Sequence, residues 1–269
     1  MNAMAEAPRE QLARGVVTAS AGNMAQGVGW AARELGIPCT VIVPEHAPET
    51  KLAAIERLGG TYVKVPFDRW WQALEQRSYP GIDGLFVHPV EDEPVMAGNG
   101  TIGLELLEDL RDPDTVIVPW GGGGLFTGIA SAVKALRPET KMRVVELETA
   151  APLSASLAAG EPREIDYRAT WVDGAGARAL LPKMWNLGRP LVDGSVVVSL
   201  DETAAAVRLL AERARIVAEG AGALAVAAAL SGRVPGDKVV AIVSGGNIDA
   251  RVLAAILAGE TPYEYPRRG

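Results

Sequence analysis

Cysteine and aromatic residues are scarce in this sequence. Its 269 residues include one cysteine and only 5% aromatics, whereas 30 are glycine. A single cysteine excludes a disulfide within the chain and a cysteine-rich metal site. Because Cys39 stands in the apolar run Cys39–Val43, we predict that it is buried in a strand. Few aromatics and many small residues favour helices packed closely on a sheet over an all-β architecture.

Long apolar runs and an excess of positive charge are lacking as well. No apolar run approaches the roughly 18 residues that a membrane-spanning helix needs, and the N-terminal sequence has neither the basic start nor the apolar stretch of a signal peptide. Asp and Glu total 33 against 26 Lys and Arg, a formal net charge of −7, which disfavours binding to nucleic-acid phosphates. We therefore expect a cytoplasmic protein without membrane or nucleic-acid partners.

Apolar runs of strand length alternate with helical patterns. In the first part of the chain, strands are predicted at Val16–Ala19, Cys39–Val43 and Tyr62–Val65, with helices ending near Leu35 and covering Thr50–Leu58. Strands that alternate with helices indicate a parallel sheet with crossover helices. The sequence therefore predicts an α/β fold.

The same alternation continues through the rest of the chain. Further strands are predicted at Leu85–Pro89, Val116–Pro119, Arg143–Leu147, Val196–Val198 and Val239–Val243. Further helices are predicted at Thr101–Leu110, Ile129–Leu136, Asp201–Glu219 and Ala221–Leu230. Asp201 is placed to cap its helix, and Ala150–Asp193 is expected to be a long irregular segment. The break at Arg111–Asp114 predicts a domain boundary, with a smaller domain over residues 15–112 and a larger one over 113–269.

Three loops follow predicted strands, at the ends where parallel sheets bind ligands. The first contains Ser20, Ala21, Gly22 and Asn23. Its small residues let backbone amides approach an anion at a helix N-terminus, and Asn23 adds a side-chain amide. An ordinary helix-capping turn is the alternative interpretation.

The other two loops are rich in glycine. Gly121, Gly122, Gly123, Gly124 and Leu125 follow a buried strand, and four glycines are costly in entropy unless the backbone wraps a ligand or adopts positive φ. They predict a nest of amides for a phosphate, with a flexible turn as the alternative. The third loop is Ser244-Gly245-Gly246-Asn247. Its Ser244 can present a neutral hydroxyl to a ligand, and a simple glycine turn is the alternative interpretation. None of the three loops fits the dinucleotide or Walker pattern.

Four more segments add to the pattern that the order and spacing of these loops form: His88-Pro89, Ala97–Glu105, Val172-Asp173-Gly174 and Glu219–Ala223. Together they resemble the threonine/serine dehydratases, which are pyridoxal-phosphate (PLP) dependent enzymes of fold type II, similar to the β subunit of tryptophan synthase. The resemblance runs from about Arg14 to Leu257. It implies two domains with parallel sheets, with PLP between them, and a homodimer.

The resemblance also implies roles for individual residues. Gly121, Gly122, Gly123, Gly124 and Leu125 would bind the PLP phosphate through their amides. Asn23 would hydrogen-bond to the ring hydroxyl, and neutral Ser244 would face the pyridine nitrogen and leave it largely unprotonated. Ser20, Ala21, Gly22 and Asn23 would bind the substrate carboxylate, assisted by the helix dipole. Glu219 is expected near the edge of the cofactor.

The implied reaction is β-elimination on a small amino acid, converting L-threonine or L-serine to a 2-oxo acid and ammonia. Hydroxyaspartate and diaminopropionate are alternative substrates. Related racemases carry a second serine where this sequence has Ala21, so racemisation is disfavoured.

The lysine of the family is missing from its expected place. In the family it lies in a Ser-x-Lys-x-Arg-Gly-Ala segment upstream of the first loop, and this sequence is expected to begin after that segment. The six lysines present match no such position and are expected to be solvated, so no catalytic residue is identified: Lys51, Lys64, Lys134, Lys141, Lys183 and Lys238.

Three explanations of this departure stay open: a truncated gene model, which we favour, a fragment completed by another chain, or a paralogue that does not catalyse. The alternative function is therefore a non-catalytic PLP- or amino-acid-binding protein.

Metal and acid–base candidates are few. Glu148 matches a metal ligand of some family members, but Pro152 and Ser154 stand where others would be expected, so we predict no tight divalent metal site. His46 and His88 are interpreted as structural residues because no partner for acid–base chemistry is evident in sequence.

Overall fold

The computed structural model describes residues 1–45, 47 and 49–263. The chain forms two compact units, Met1–Gly98 and Asn99–Gly269, and each contains a four-stranded sheet. All paired strands of both sheets are parallel. The predicted α/β architecture with parallel sheets is therefore confirmed.

The first unit is built on a sheet with the strand order β3-β2-β1-β4. Its strands are β1 (Val16–Ala19), β2 (Cys39–Pro44), β3 (Thr61–Val65) and β4 (Leu85–Phe86). Its helices are α1 (Asn2–Ala5), α2 (Arg9–Leu12), α3 (Asn23–Leu35), α4 (Glu49–Arg57) and α5 (Phe67–Gln76), and α6 (Glu93–Asp109) contains the point of division between the units.

The central strands of this sheet are buried because helices cover both faces of a parallel sheet. Val41, Ile42 and Val43 are fully buried. Cys39 is 5% exposed within β2, as predicted. Helix α3 ends at Gly36 in the left-handed conformation with φ of 68°, where glycine avoids the strain of a side chain.

The second unit has the strand order β7-β6-β5-β8. Its strands are β5 (Thr115–Pro119), β6 (Lys141–Leu147), β7 (Gly194–Val198) and β8 (Val239–Ala241). Its helices are α7 (Gly124–Leu136), α8 (Pro152–Ala159), α9 (Pro182–Gly188), α10 (Leu200–Leu209), α11 (Gly220–Leu230) and α12 (Ala250–Leu257). No helix in the described ranges is long and apolar enough to cross a membrane.

The predicted helix Asp201–Glu219 is wrong in its start and its length. Helix α10 is capped by Ser199, whose Oγ accepts the N–H of Glu202 at 3.1 Å while the Glu202 carboxylate accepts the N–H of Ser199 at 2.7 Å. This reciprocal capping box, rather than Asp201, satisfies the first amides. The helix widens into a π-helical turn at Leu210–Ala214 and stops at Arg215, which has φ of 60°.

The segment Ala150–Asp193 is also more regular than predicted. It contains α8 and α9, of eight and seven residues, and each has a proline in its first turn. Helices of about two turns show too little periodicity to stand out in sequence. The proline fits there because the first helical amide needs no partner within the helix.

Candidate cofactor site

The glycine loop connects the carboxyl end of β5 to the first turn of α7. Before it, the amide of Trp120 donates to Val145 O at 3.0 Å and so extends the pairing with β6. Among the described residues, the N–H groups of Gly121–Gly123 donate to no acceptor, and the first α7 bond runs from Thr127 N to Gly123 O. The amides of Gly124–Phe126 have no partner within the helix. A run of unused amides at a helix N-terminus is suited to bind an anion.

Close packing behind this loop leaves little room for a side chain at Gly121 and none at Gly123. A Cβ on Gly121 would lie 3.1 Å from Ala175 Cα and 3.2 Å from Gly174 O. Gly123 caps α7 with φ of 94°, and a Cβ there would lie 2.6 Å from the ring of Trp120. The loop therefore requires glycine for its shape, and it fits a phosphate group bound by amides.

Ser244 follows β8 at the same edge of the sheet. Strand β8 pairs with β5 in a register that aligns Ala241 with Ile117, and the amide of Ile242 donates to Ile117 O at 3.1 Å. Ser244 lies three residues beyond the end of β8, and the carboxyl ends of parallel strands lie at the same edge of a sheet, so Ser244 and the glycine loop leave the sheet at the same edge. The Ser244 residue is exposed, so its hydroxyl is available to a ligand at this edge.

The start of α11 packs beside both loops. Glu219 is 5% exposed, and its amide donates to Gly245 O at 3.0 Å. A Cβ on Gly174 would lie 3.0 Å from Ala221 Cβ and 3.6 Å from a carboxylate oxygen of Glu219. The segments around Gly121, Gly174, Glu219 and Gly245, which are distant in sequence, are therefore neighbours in the second unit.

The loop with Ser20–Asn23 lies in the first unit, between β1 and α3. The amide of Ser20 donates to Ile42 O at 3.1 Å, and its Oγ accepts the amide of Gly22 at 3.2 Å. Gly22 caps α3 and Asn23 is its first residue. The loop thus forms a second helix N-terminus, of the kind that favours a carboxylate.

His88 is buried in the first unit, with 2% of its surface exposed. Its Nδ1 accepts the amides of Val90 at 3.1 Å and Glu91 at 2.9 Å, so this nitrogen carries no proton. The Asp92 carboxylate accepts the amide of His88 at 2.7 Å. These bonds shape the turn before α6. The other predicted structural histidine, His46, lies outside the described residues.

Sequence reasoning missed Glu146, a carboxylate with no exposed surface in β6. It accepts the amides of Leu153 and Ser154 at 2.8 and 2.7 Å and the Ser154 hydroxyl at 2.6 Å. Burial raises the pKa of Glu146 to about 7, although these hydrogen bonds lower it. An acidic residue inside the apolar run of β6 was the one available signal.

The residues considered for a metal have other partners. A carboxylate oxygen of Glu148 accepts the amide of Leu200 at 3.0 Å, and the Ser154 hydroxyl donates a hydrogen bond to Glu146. Within the described part of the chain, no cluster of three or more His, Cys, Asp or Glu side chains is arranged to hold a metal ion.

Three lysines of the second unit lie away from the glycine loop. Lys141 begins β6 and Lys238 precedes β8, at the amino ends of their strands. Lys134 pairs with Asp193 at 2.7 Å, and Lys141 approaches the same carboxylate at 3.7 Å. The glycine loop leaves the sheet at the opposite, carboxyl ends, so these amines are remote from it.

Comparison with known proteins gives a consistent pattern. A family model described as "Pyridoxal-phosphate dependent enzyme" matches residues 1–245. The chain is 41% identical over 259 residues to an L-threonine ammonia-lyase of Thermotoga maritima, covering 95% of this chain and 64% of that protein. It is 42% identical over 267 residues to an L-threonine ammonia-lyase of Geobacter sulfurreducens, covering 96% and 65%. The chain thus spans less than two thirds of the length of these relatives.

Solved structures resemble the chain over almost its full length. Maize serine racemase matches with a TM-score of 0.87 and 32% identity, covering 96% of this chain and 80% of that chain. The processed form of threonine deaminase isoform 2 from Solanum lycopersicum matches with a TM-score of 0.86 and 35% identity, covering 96% and 78%.

Proposed function

The chain belongs to the family of pyridoxal-phosphate dependent enzymes, and on that basis we propose that it takes part in the β-elimination of L-threonine or L-serine to a 2-oxo acid and ammonia. The observation that carries the proposal is the glycine loop, with its unused amides at the start of α7 and close packing around Gly121 and Gly123. When bound, PLP supplies an electron sink for charge that develops on the substrate.

Residues of both units have roles in this proposal. Gly121–Leu125 would bind the phosphate through backbone N–H groups, and Ser244 would offer a neutral hydroxyl to the ring nitrogen. Asn23 would hydrogen-bond to the ring hydroxyl. Ser20, Ala21, Gly22 and Asn23 would hold the substrate carboxylate at the start of α3, where the helix dipole favours negative charge.

The choice of substrate and reaction rests on two observations. The relatives from Thermotoga and Geobacter are named L-threonine ammonia-lyases, which favours elimination from a β-hydroxy amino acid. Ala21 has no group that could exchange a proton, which favours elimination over racemisation. The homodimer and the cytoplasmic location expected from the sequence stay predictions.

Binding of PLP is the first test, measured by equilibrium dialysis on three proteins. Gly121→Ala should weaken binding by about tenfold or more, because the added Cβ displaces an amide that contacts phosphate. The matched control is Gly160→Ala, at the exposed end of α8 with φ of 76°. It adds a Cβ outside the loop, with backbone strain that Gly121→Ala lacks, and should bind PLP as the unaltered chain does. Equal binding by all three proteins would contradict the phosphate role of the loop.

Borohydride reduction followed by peptide mapping then separates the enzyme from a binding protein. Pyridoxyl trapped on one lysine of this chain, with ammonia released from L-threonine, would support catalysis by the chain itself. Binding of PLP without trapping would support a protein that holds the cofactor without attaching it covalently.

A further inference from the structure

Trp120 stands between the last residue of β5 and the glycine loop. It is 1% exposed, although it adjoins a loop whose next two residues reach the surface. Its amide is fixed to β6 by the bond to Val145 O. Its side chain packs near Phe126 in the first turn of α7, with ring centroids 5.6 Å apart. The indole therefore lies behind the loop that it precedes.

The benzene part of the indole touches two glycines from different parts of the chain. A Cβ on Gly123 would lie 2.6 Å from both Cη2 and Cζ2 of Trp120. A Cβ on Gly188, at the end of α9, would lie 2.6 Å from the same Cη2 and 3.0 Å from Cζ3. The ring thus packs against the backbone of the loop and against the backbone at the end of α9.

Packing alone holds this ring. Its Nε1 is buried and has no hydrogen-bond partner among the described residues. Nothing polar would be lost if the pyrrole part of the ring were removed, whereas the benzene part makes both glycine contacts. A phenylalanine ring is attached directly to Cβ, so it would occupy the place of the pyrrole part and would fall short of both glycines.

We infer that Trp120 is a positioning residue that holds the glycine loop in its anion-binding shape. Glycine loses more conformational freedom on folding than any other residue, so four in succession keep one conformation only with outside support. The ring supplies that support at Gly123, whose positive φ turns the chain into α7. The inference rests on the proposed function for the identity of the anion, but not for the shape of the loop.

The test compares Trp120→Ala and Trp120→Phe with Met142→Ala. Met142 is fully buried near the amino end of β6, whereas the glycine loop follows the carboxyl end of the neighbouring strand β5. It therefore controls for a cavity in the core of the second unit. Two quantities are measured on each protein: hydrogen exchange of the amides of residues 121–125, and the dissociation constants for PLP and inorganic phosphate.

Trp120→Ala should speed exchange of these amides and weaken PLP and phosphate by about tenfold or more. Trp120→Phe should change both quantities in the same direction, because its shorter side chain keeps the core apolar but does not reach Gly123 and Gly188. Met142→Ala should lose stability without either change. If Trp120→Ala does not fold, Trp120→Leu serves in its place, since it stays apolar but lacks the flat ring.

The inference is overturned if exchange at the loop is the same in Trp120→Ala and Met142→Ala, or if loop exchange in Trp120→Phe equals that of the unaltered chain. Failure of the proposed function looks different. The unaltered chain would then bind neither PLP nor phosphate, while the exchange measurement, which needs no ligand, would still decide the role of Trp120.

Discussion

A single carboxylate, that of Glu146, lies in surroundings that disfavour its charged form. It is fully buried in β6, and its hydrogen bonds come from the first residues of α8. Burial disfavours the charged form, whereas the amides and the Ser154 hydroxyl favour it. Burial is the stronger effect and leaves the pKa at about 7.

This raised pKa predicts a pH-dependent stability. Between the ordinary pKa of 4.5 and about 7, the unfolded chain has lost the Glu146 proton while the folded chain retains it. The free energy of unfolding contributed by this residue therefore falls as pH rises through that window, because the unfolded state binds fewer protons. Glu146→Gln should abolish this slope, as measured by urea unfolding at a series of pH values.

Ser154→Ala is the matched control for that experiment. It removes one hydrogen bond to the charged carboxylate, so the pKa of Glu146 should rise further and the slope should extend to higher pH. A difference in unfolding free energy between the unaltered chain and Glu146→Gln that is constant with pH would contradict the assignment.

At the scale of single elements, a side-chain cap decides where helix α10 begins. Helix α10 starts with the reciprocal bonds between Ser199 and Glu202. Its far end widens into the π-helical turn and closes at Arg215. Sequence periodicity continues beyond Ala214, but the backbone does not remain helical.

Ser199→Ala should cost about 1 kcal/mol of unfolding free energy, because an amide of the first turn loses its acceptor. Asp201→Ala is the control, since Asp201 is exposed and makes no cap. It should cost only about 0.3 kcal/mol, through the helix dipole. Chemical denaturation measures both. A larger loss for Asp201→Ala would show that the helix starts differently.

At the scale of the whole molecule, the chain repeats one arrangement: a parallel four-stranded sheet with polar or glycine-rich loops at the carboxyl ends of its strands. This is where open α/β sheets bind ligands. The predicted fold type II class is confirmed by the match to the pyridoxal-phosphate dependent family and by the similarity to maize serine racemase and tomato threonine deaminase.

A ligand that binds only the folded chain should stabilise it as a whole. At 100 times its dissociation constant, PLP should raise the free energy of unfolding by about 2.7 kcal/mol. Pyridoxal, which lacks the phosphate, should have a smaller effect at the same concentration. Urea unfolding with each compound measures this. Equal stabilisation by both compounds would mean that the glycine loop does not bind the phosphate.

The sequence by itself determined the class of fold and the positions of the loops. Apolar runs such as Cys39–Val43 and Val116–Pro119 have few alternatives to buried strands. A run of four glycines after such a strand is costly unless the backbone has a special task. These signals are local, because they depend on residues next to one another in the chain.

Only the tertiary structure decided which distant residues meet. The Glu146 carboxylate accepts hydrogen bonds from the first turn of α8, and the Trp120 ring packs against both Gly123 and Gly188. The end of α10 at Arg215 and the short helices α8 and α9 likewise depend on packing. Such contacts join segments far apart in sequence, where neither periodicity nor local propensity carries information.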